Sequence, residues 1–343
     1  MTRAVRHILR SVAAALLLAA TAMSGEAQAP AAPSADTWTD PSPHRVRLIR
    51  VAPDAQLEVL DWGVSGPTLV FLTGSGNTAH VFDDFAPRFR DRFHVYAITR
   101  RGFGASSPAR GYNAATRARD IVTILDSLHA RRAVLAGHSI AGDELSKVGA
   151  TYPARVRALV YLDAPDYGRA LAAVVDAKRA LIALMPTMTS ADSASPAAVT
   201  AFMRRAFLDA GPESEVRQTY TFGPDGHLIG EVDAGGLEEQ ELIAGVGKQD
   251  FARINAPALG LFAVYSGPAA LLSYYPSLDS TRRAQTDRGY GGLMGWATTA
   301  RDRFRAQMRH GTIVELSDAR HHIFLTQPDR VEREMRNFLA RVR

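Results

Sequence analysis

Cysteine is absent from the 343 residues, which excludes disulfides, thiolate metal sites, a cysteine nucleophile and a lipoprotein anchor. Long apolar runs are also scarce. The longest, Val12 to Met23, is too short for the ~20 residues that cross a bilayer. Blocks of like charge are missing: 40 Lys and Arg are interleaved with 35 Asp and Glu, so the net charge of +5 forms no patch for nucleic acid. There are no internal repeats. What is present is ordinary for a globular protein, 46% hydrophobic and 22% charged, and excludes disorder, collagen or coiled coil as a reading of the whole chain. The length predicts one large domain or two smaller ones.

The first residues read as a secretory signal. Arg3, Arg6 and Arg10 form a cationic start, Val12 to Met23 the apolar region, and Gly25-Glu26-Ala27 a small-residue cleavage site before Gln28. The alternative is an uncleaved N-terminal anchor. Loss of residues 1–27 lowers the net charge to +3, so part of the basicity belongs to targeting. Residues 28–44, rich in Ala, Pro and Ser, read as a flexible leader. No stable membrane span is expected in the mature form, which is expected to be secreted or periplasmic.

Arg45 to Val51 and Leu57 to Trp62 predict an opening hairpin. Short apolar runs follow at Thr68–Thr73, His94–Thr99, Ala133–Gly137, Ala158–Asp163, Ala258–Val264 and Thr312–Leu316. Continuous apolar runs of this length suit strands buried on both faces. Between several of them lie helical spacings: Ile121, Ile124, Leu125 and Leu128, then Ala141, Leu145, Val148 and Tyr152. A last set, Val331, Met335, Phe338 and Leu339, follows Pro328. Strands alternating with helices predict an α/β fold, a mainly parallel central sheet with helices on both faces. The alternation breaks between Asp163 and Ala258. That stretch is helical in composition, with Leu171 to Met185 apolar nearly all round, Ala198 to Leu208, and a small hairpin over 220–229. A structureless loop of that length is improbable, so residues 166–256 read as a helical cap inserted into a core of 45–165 and 257–343.

The chemistry centres on Gly137-His138-Ser139-Ile140-Ala141-Gly142, between a predicted strand and a predicted helix. A nucleophile on so sharp a turn needs small residues two places before and after it, and Gly137 and Ala141 supply them. From residue 45 onward the chain resembles the α/β-hydrolase superfamily, in its serine-nucleophile form with an inserted cap. The resemblance implies an oxyanion hole from the amides of Ile140 and of the loop Thr73-Gly74-Ser75-Gly76, with Ser75 the leading donor there and Gly76 the alternative. It implies a catalytic histidine before the last helix, and Arg320-His321-His322 offers two. His321, seven residues before Pro328, fits the family spacing, and His322 is the rival. The usual acid position after the seventh strand is vacant until Asp279. The strand before it ends in Asp163-Ala164-Pro165-Asp166, as in a subset of the superfamily, so Asp163 is the leading acid, with Asp166 and Asp279 behind it. A serine at the elbow argues against dehalogenase or epoxide hydrolase chemistry, which needs a carboxylate nucleophile.

Other motifs have plainer readings. Asp143, Glu144 and Lys147 suit a helix start, with Asp143 and Lys147 as an i, i+4 pair and pocket polarity as the lesser role for Glu144. Arg101-Gly102-Phe103-Gly104-Ala105-Ser106 reads as a structural turn. Gly289 to Gly295, with Tyr290, Leu293, Met294 and Trp296, reads as a loop or a pocket edge. Gly74 to Ala79 also fits G-x-G-x-x-A, with Arg100 and Arg101 placed for a 2′-phosphate, which is the dinucleotide alternative.

The leading function is thus hydrolysis of a small or medium hydrophobic ester, thioester or lactone through an acyl-enzyme on Ser139. The cap's apolar character favours such a small-molecule partner. A non-catalytic binding protein on the same fold and an NADP-dependent oxidoreductase are the alternatives. The leading reading needs no cofactor and no metal, and nothing in the pattern sets the oligomeric state.

Overall fold

The computed structural model describes residues 38–342, apart from 108–110, 169–173, 175–176, 178–183, 185, 208–210, 233–244 and 247–248. The strands are β1 (Arg45–Ala52), β2 (Ala55–Asp61), β3 (Thr68–Leu72), β4 (His94–Ile98), β5 (Ala133–His138), β6 (Val156–Leu162), β7 (Tyr220–Phe222), β8 (Leu228–Glu231), β9 (Ala258–Val264) and β10 (Gly311–Ser317). Eight of them form one sheet in the order β1-β2-β4-β3-β5-β6-β9-β10. The opening hairpin pairs antiparallel, β2 joins β4 antiparallel, and every pairing from β4 to β10 is parallel. β7 and β8 make the separate small hairpin that the glycine-rich turn at 223–226 predicts.

The central strands are apolar throughout because both faces are covered. One face packs Val70, Leu135 and Leu159 against α1 (Ala114–Ser127) and α2 (Ala141–Thr151). The other packs Phe71, Val134 and Val160 against Phe82, Phe85 and Phe324 and against the last helix. Local chemistry sets the helix ends. Asn113 caps α1 by accepting from Thr116 N–H, and Pro328 starts the last helix, Pro328–Leu339, which buries Val331, Met335 and Leu339. Between β6 and β9 lie the described cap elements α3 (Pro196–Phe207), α4 (Glu213–Thr219) and β7–β8. Most of the apolar stretch 171–185 lies outside the described residues, as do residues 1–37.

Two expectations are corrected. Residues 289–295 are not a loop. They sit inside a helix, α5 (Ser280–Gln307), capped by Asp279, which accepts from Arg282 N–H at 2.8 Å. Each interior glycine costs a helix about 1 kcal/mol against alanine, so propensity argues against this element. Packing outweighs it: Leu293 is buried, Met294 and Trp296 pack beside it, and Phe304 anchors the far end against Tyr161, Phe251 and Phe262. The leader is also shorter than read. Residues 38–44 lie on the core, with Ser42 Oγ accepting from Trp62 Nε1–H at 3.0 Å and the His44 side chain only 4% exposed. Among the described residues, no helix is long and apolar enough to cross a membrane.

Candidate active site

β5 ends at His138, and the chain turns into α2 through Ser139, whose φ of 55° lies in the left-handed region. For a residue with a side chain this costs roughly 1–3 kcal/mol, and it lifts the side chain off the end of the sheet. The turn is tight: a Cβ on Gly137 would lie 3.0 Å from both Ala141 Cβ and Leu145 Cδ1. Ser139 N–H donates to Leu162 O at 3.2 Å, tying the elbow to the end of β6.

That neighbouring strand end carries Asp163, also at positive φ, 44°. Its Oδ1 accepts from Ala263 N–H at 3.0 Å, and its Oδ2 accepts from His321 Nδ1 at 2.7 Å. An ionised carboxylate only accepts, so it fixes the proton of the neutral ring on Nδ1 and leaves Nε2 as an acceptor. Nε2 faces Ser139 Oγ at 2.9 Å. The structure therefore brings Ser139, His321 and Asp163 into one hydroxyl–imidazole–carboxylate chain. Asp166 is not part of it, being buried and ion-paired with Arg303. Asp279 is spent as the helix cap of α5. His322 points elsewhere, its Nε2 3.2 Å from Asn77 Oδ1.

The loop carrying Ser75 is held from two sides. From the core, Arg100 donates to the carbonyls of Gly74 and Thr73 at 2.9 and 2.7 Å and to Glu144 Oε1 at 2.8 Å. From the cap, the buried Glu215 accepts from Asn77 Nδ2 and Thr78 N–H, both at 3.0 Å, and from the Thr78 hydroxyl. Burial drives the Glu215 carboxyl above the usual range, against the pull of these donors. Gly74 admits the His138 ring, since a Cβ there would lie 2.7 Å from His138 Nδ1. His138 in turn donates from Nε2 to His321 O at 3.1 Å and packs against both the His321 and His322 rings. Ile140 is buried at the start of α2, directly after the elbow.

Tyr167 is a site residue that the sequence pattern misses. Its hydroxyl lies 3.1 Å from Ser139 Oγ, and its ring stacks on Trp296 at 5.2 Å. Complete burial keeps the phenol protonated, well above its usual range. The one available signal was position, four residues past Asp163 on the same strand-end loop. With Ile140, Val174 and Leu293 it forms an apolar cluster beside Ser139.

The dinucleotide reading fails on geometry. Arg100 is buried under the 73–74 loop, and Arg101 is buried against Asp120 at 2.6 and 2.7 Å. Neither faces a ligand, and the loop leads into a single 3-10 turn, Ala79–Phe82, rather than a helix. Asp143 pairs with the buried Arg117 at 3.2 Å, and Glu144 with Arg100 and Arg117, so both acids brace the start of α2. The 101–106 segment is a structural turn, with Ser106 Oγ donating to Thr99 O at 2.8 Å and accepting from Glu58 N–H at 2.9 Å.

These features define a class, and comparison agrees. The model of the alpha/beta hydrolase family matches residues 69–334, and the chain belongs to that family. It is 36% identical over 104 residues to a 2-(acetamidomethylene)succinate hydrolase of Mesorhizobium japonicum, a match covering 30% of this chain and 37% of that protein. It is 30% identical over 142 residues to a bifunctional epoxide hydrolase 2 of Sus scrofa, covering 40% and 25%. The chain thus spans little more than a third of the first curated relative it matches. The crystal structure of E-2-(acetamidomethylene)succinate hydrolase superposes with a TM-score of 0.60 at 21% identity, covering 87% of this chain and 99% of that one. A carboxylesterase from Bacillus subtilis superposes at 0.53 and 16%, covering 88% and 93%. At these identities the superpositions speak for the fold alone.

Proposed function

We propose that the protein is a serine hydrolase that cleaves a small or medium hydrophobic carboxylic ester, thioester or lactone. The observation that carries this reading is the continuous chain from Ser139 Oγ through His321 to Asp163, at 2.9 and 2.7 Å, on a strained strand-to-helix elbow. Ser139 gives its proton to His321 Nε2 as Oγ attacks the carbonyl carbon. Asp163 stabilises the imidazolium. The backbone amides of Ile140 and Ser75 stabilise the oxyanion, at about 3 kcal/mol per donor. His321 then passes its proton to the leaving group, and a water activated by the same imidazole releases the acid and frees Ser139. Tyr167 supplies a second hydrogen bond to the serine oxygen and holds it toward His321.

The apolar cluster of Ile140, Tyr167, Val174 and Leu293 supports a hydrophobic acyl or alcohol portion. The cationic start, apolar region and small-residue site within residues 1–27 support export of the protein. The test is a panel of p-nitrophenyl esters of rising acyl length. The wild type is expected to turn over short and medium chains, with Ser139→Ala lower by at least 10³-fold. Activity in Ser139→Ala within tenfold of wild type would remove Ser139 from the nucleophile role.

A further inference from the structure

A second cluster of chemistry-bearing side chains lies behind the Ser75 loop, and the hydrolytic reading does not use it. Asp40, His44, His80 and Asp83 each offer a donor atom, and these four atoms lie within 4.8 Å of one another. We propose that these residues bind one divalent transition-metal ion, zinc in preference to calcium or magnesium, as a structural centre.

The geometry supports a shared centre. His44 Nδ1 lies 3.2 Å from Asp83 Oδ1, His80 Nδ1 lies 3.3 Å from Asp40 Oδ2, and His80 Nδ1 lies 2.9 Å from Asp83 Oδ2. Donors about 2.0–2.2 Å from a tetrahedral ion stand roughly 3.3–3.6 Å apart, so these three pairs lie near that range, and the wider pairs of the cluster, none beyond 4.8 Å, have to draw in around the ion. The side chains of His44, His80 and Asp83 are at most 4% exposed. His44 Nδ1 and Asp83 Oδ1 are buried and face each other at 3.2 Å without a well-formed hydrogen bond, although buried polar atoms normally make one. A cation between them satisfies both.

The donor set selects the ion. Two imidazoles and two carboxylates suit zinc, whereas calcium and magnesium prefer oxygen alone. The two carboxylates balance the charge of the ion. Glu58 Oε1 stands 3.6 Å from His80 Nε2, on the far side of the ring from Asp83, and Thr99 Oγ1 donates to Glu58 Oε2 at 2.5 Å. Ser214, in the cap, donates to Asp83 Oδ2 at 2.6 Å. Asp40, 23% exposed, is the entry side. Four protein ligands leave no open position, so the ion stabilises rather than catalyses. It clamps the 38–44 segment to the turn after Thr78, and through Asp83 it reaches the cap. The pattern Asp40-x-x-x-His44 and His80-x-x-Asp83 is too short in each half to signal a metal, and the halves lie 36 residues apart.

The test starts from the protein as expressed, stripped with dipicolinic acid and dialysed against zinc, calcium or magnesium, with metal content measured by mass spectrometry and Tm by calorimetry. The expected result is one zinc per chain, a Tm several degrees above the stripped protein, and little response to calcium or magnesium. Asp40→Ala and His44→Ala lose the bound zinc, while His322→Ala keeps it and so separates this centre from the histidines near Ser139. Less than 0.2 zinc per wild-type chain with no Tm response overturns the proposal, leaving the cluster closed by protons on its imidazoles. Zinc retained by both Asp40→Ala and His44→Ala, or tighter binding of calcium, overturns it equally.

Discussion

Glu215 is the cap residue on which the Ser75 loop depends most directly. Its carboxylate is the acceptor for three donors in that loop, Asn77 Nδ2, Thr78 N–H and the Thr78 hydroxyl. Replacement by alanine leaves all three without an acceptor. A buried donor stripped of its partner costs about 1–3 kcal/mol. Two effects offset the sum: water enters the space left by the side chain, and a carboxylate held against its desolvation cost is removed. The net loss should be about 2–4 kcal/mol, a large fraction of the 5–15 kcal/mol typical of a folded domain. Urea unfolding measures it as a lower midpoint at constant slope. The same change frees the loop that presents Ser75, so kcat on the best ester should fall at least tenfold, partway to the 10²–10³ of a lost oxyanion donor. Glu215→Gln keeps the shape and one acceptor oxygen, and should recover most of both losses. An alanine variant within about 0.5 kcal/mol of wild type, with unchanged kcat, would refute the claim that the cap holds this loop.

Asp163→Asn should lower kcat by about 10³–10⁴-fold while leaving the fold intact, because the wrong histidine tautomer is then favoured. Asp279→Asn should leave kcat within twofold, since that residue caps α5, and the opposite ranking in steady-state kinetics would displace Asp163 as the acid. Asp143 should shape stability against pH. Burial, opposed by Arg117, pushes its carboxyl up to about 6 from 3.8. Between those values the unfolded chain has lost the proton that the folded one keeps, so rising pH costs the folded state up to about 3 kcal/mol, with no further change below or above the window. Asp143→Asn should lack that slope, and parallel stability curves for the two proteins between pH 4 and 6 would contradict this assignment.

Much of this architecture is readable in the chain because its signals are local. Five of the predicted runs, β3, β4, β5, β6 and β9, are short, continuous and apolar because both faces are covered, whereas the sixth, β10, forms the sheet edge and stays largely exposed. Ser139, His321 and Asp163 are legible because each sits at a strand end, where backbone turns restrict the neighbouring residue types. Helix α5 is illegible for the opposite reason. Its glycines oppose helix formation locally, and partners distant in sequence, among them Ile140, Tyr161 and Phe251, compensate. Residues 38–44 look like a leader because they continue the Ala-, Pro- and Ser-rich stretch from residue 28, yet His44 and Trp62 hold them down. Tyr167 and Glu215 carry no motif at all, and Arg100 enters only the dinucleotide reading, not the loop-bracing role it has. Their roles arise from contacts that the fold alone creates, and the pairing of His44 with Asp83 is of the same kind.

The central claim is that Ser139 is an activated nucleophile. The most direct test treats the folded protein with a fluorophosphonate and maps the adduct by mass spectrometry, with Ser139→Ala and His321→Ala as controls. The account predicts one adduct per chain, on Ser139, absent from the first variant and strongly slowed in the second. A folded wild type that hydrolyses no ester and takes no label, or a label on another residue, would contradict it.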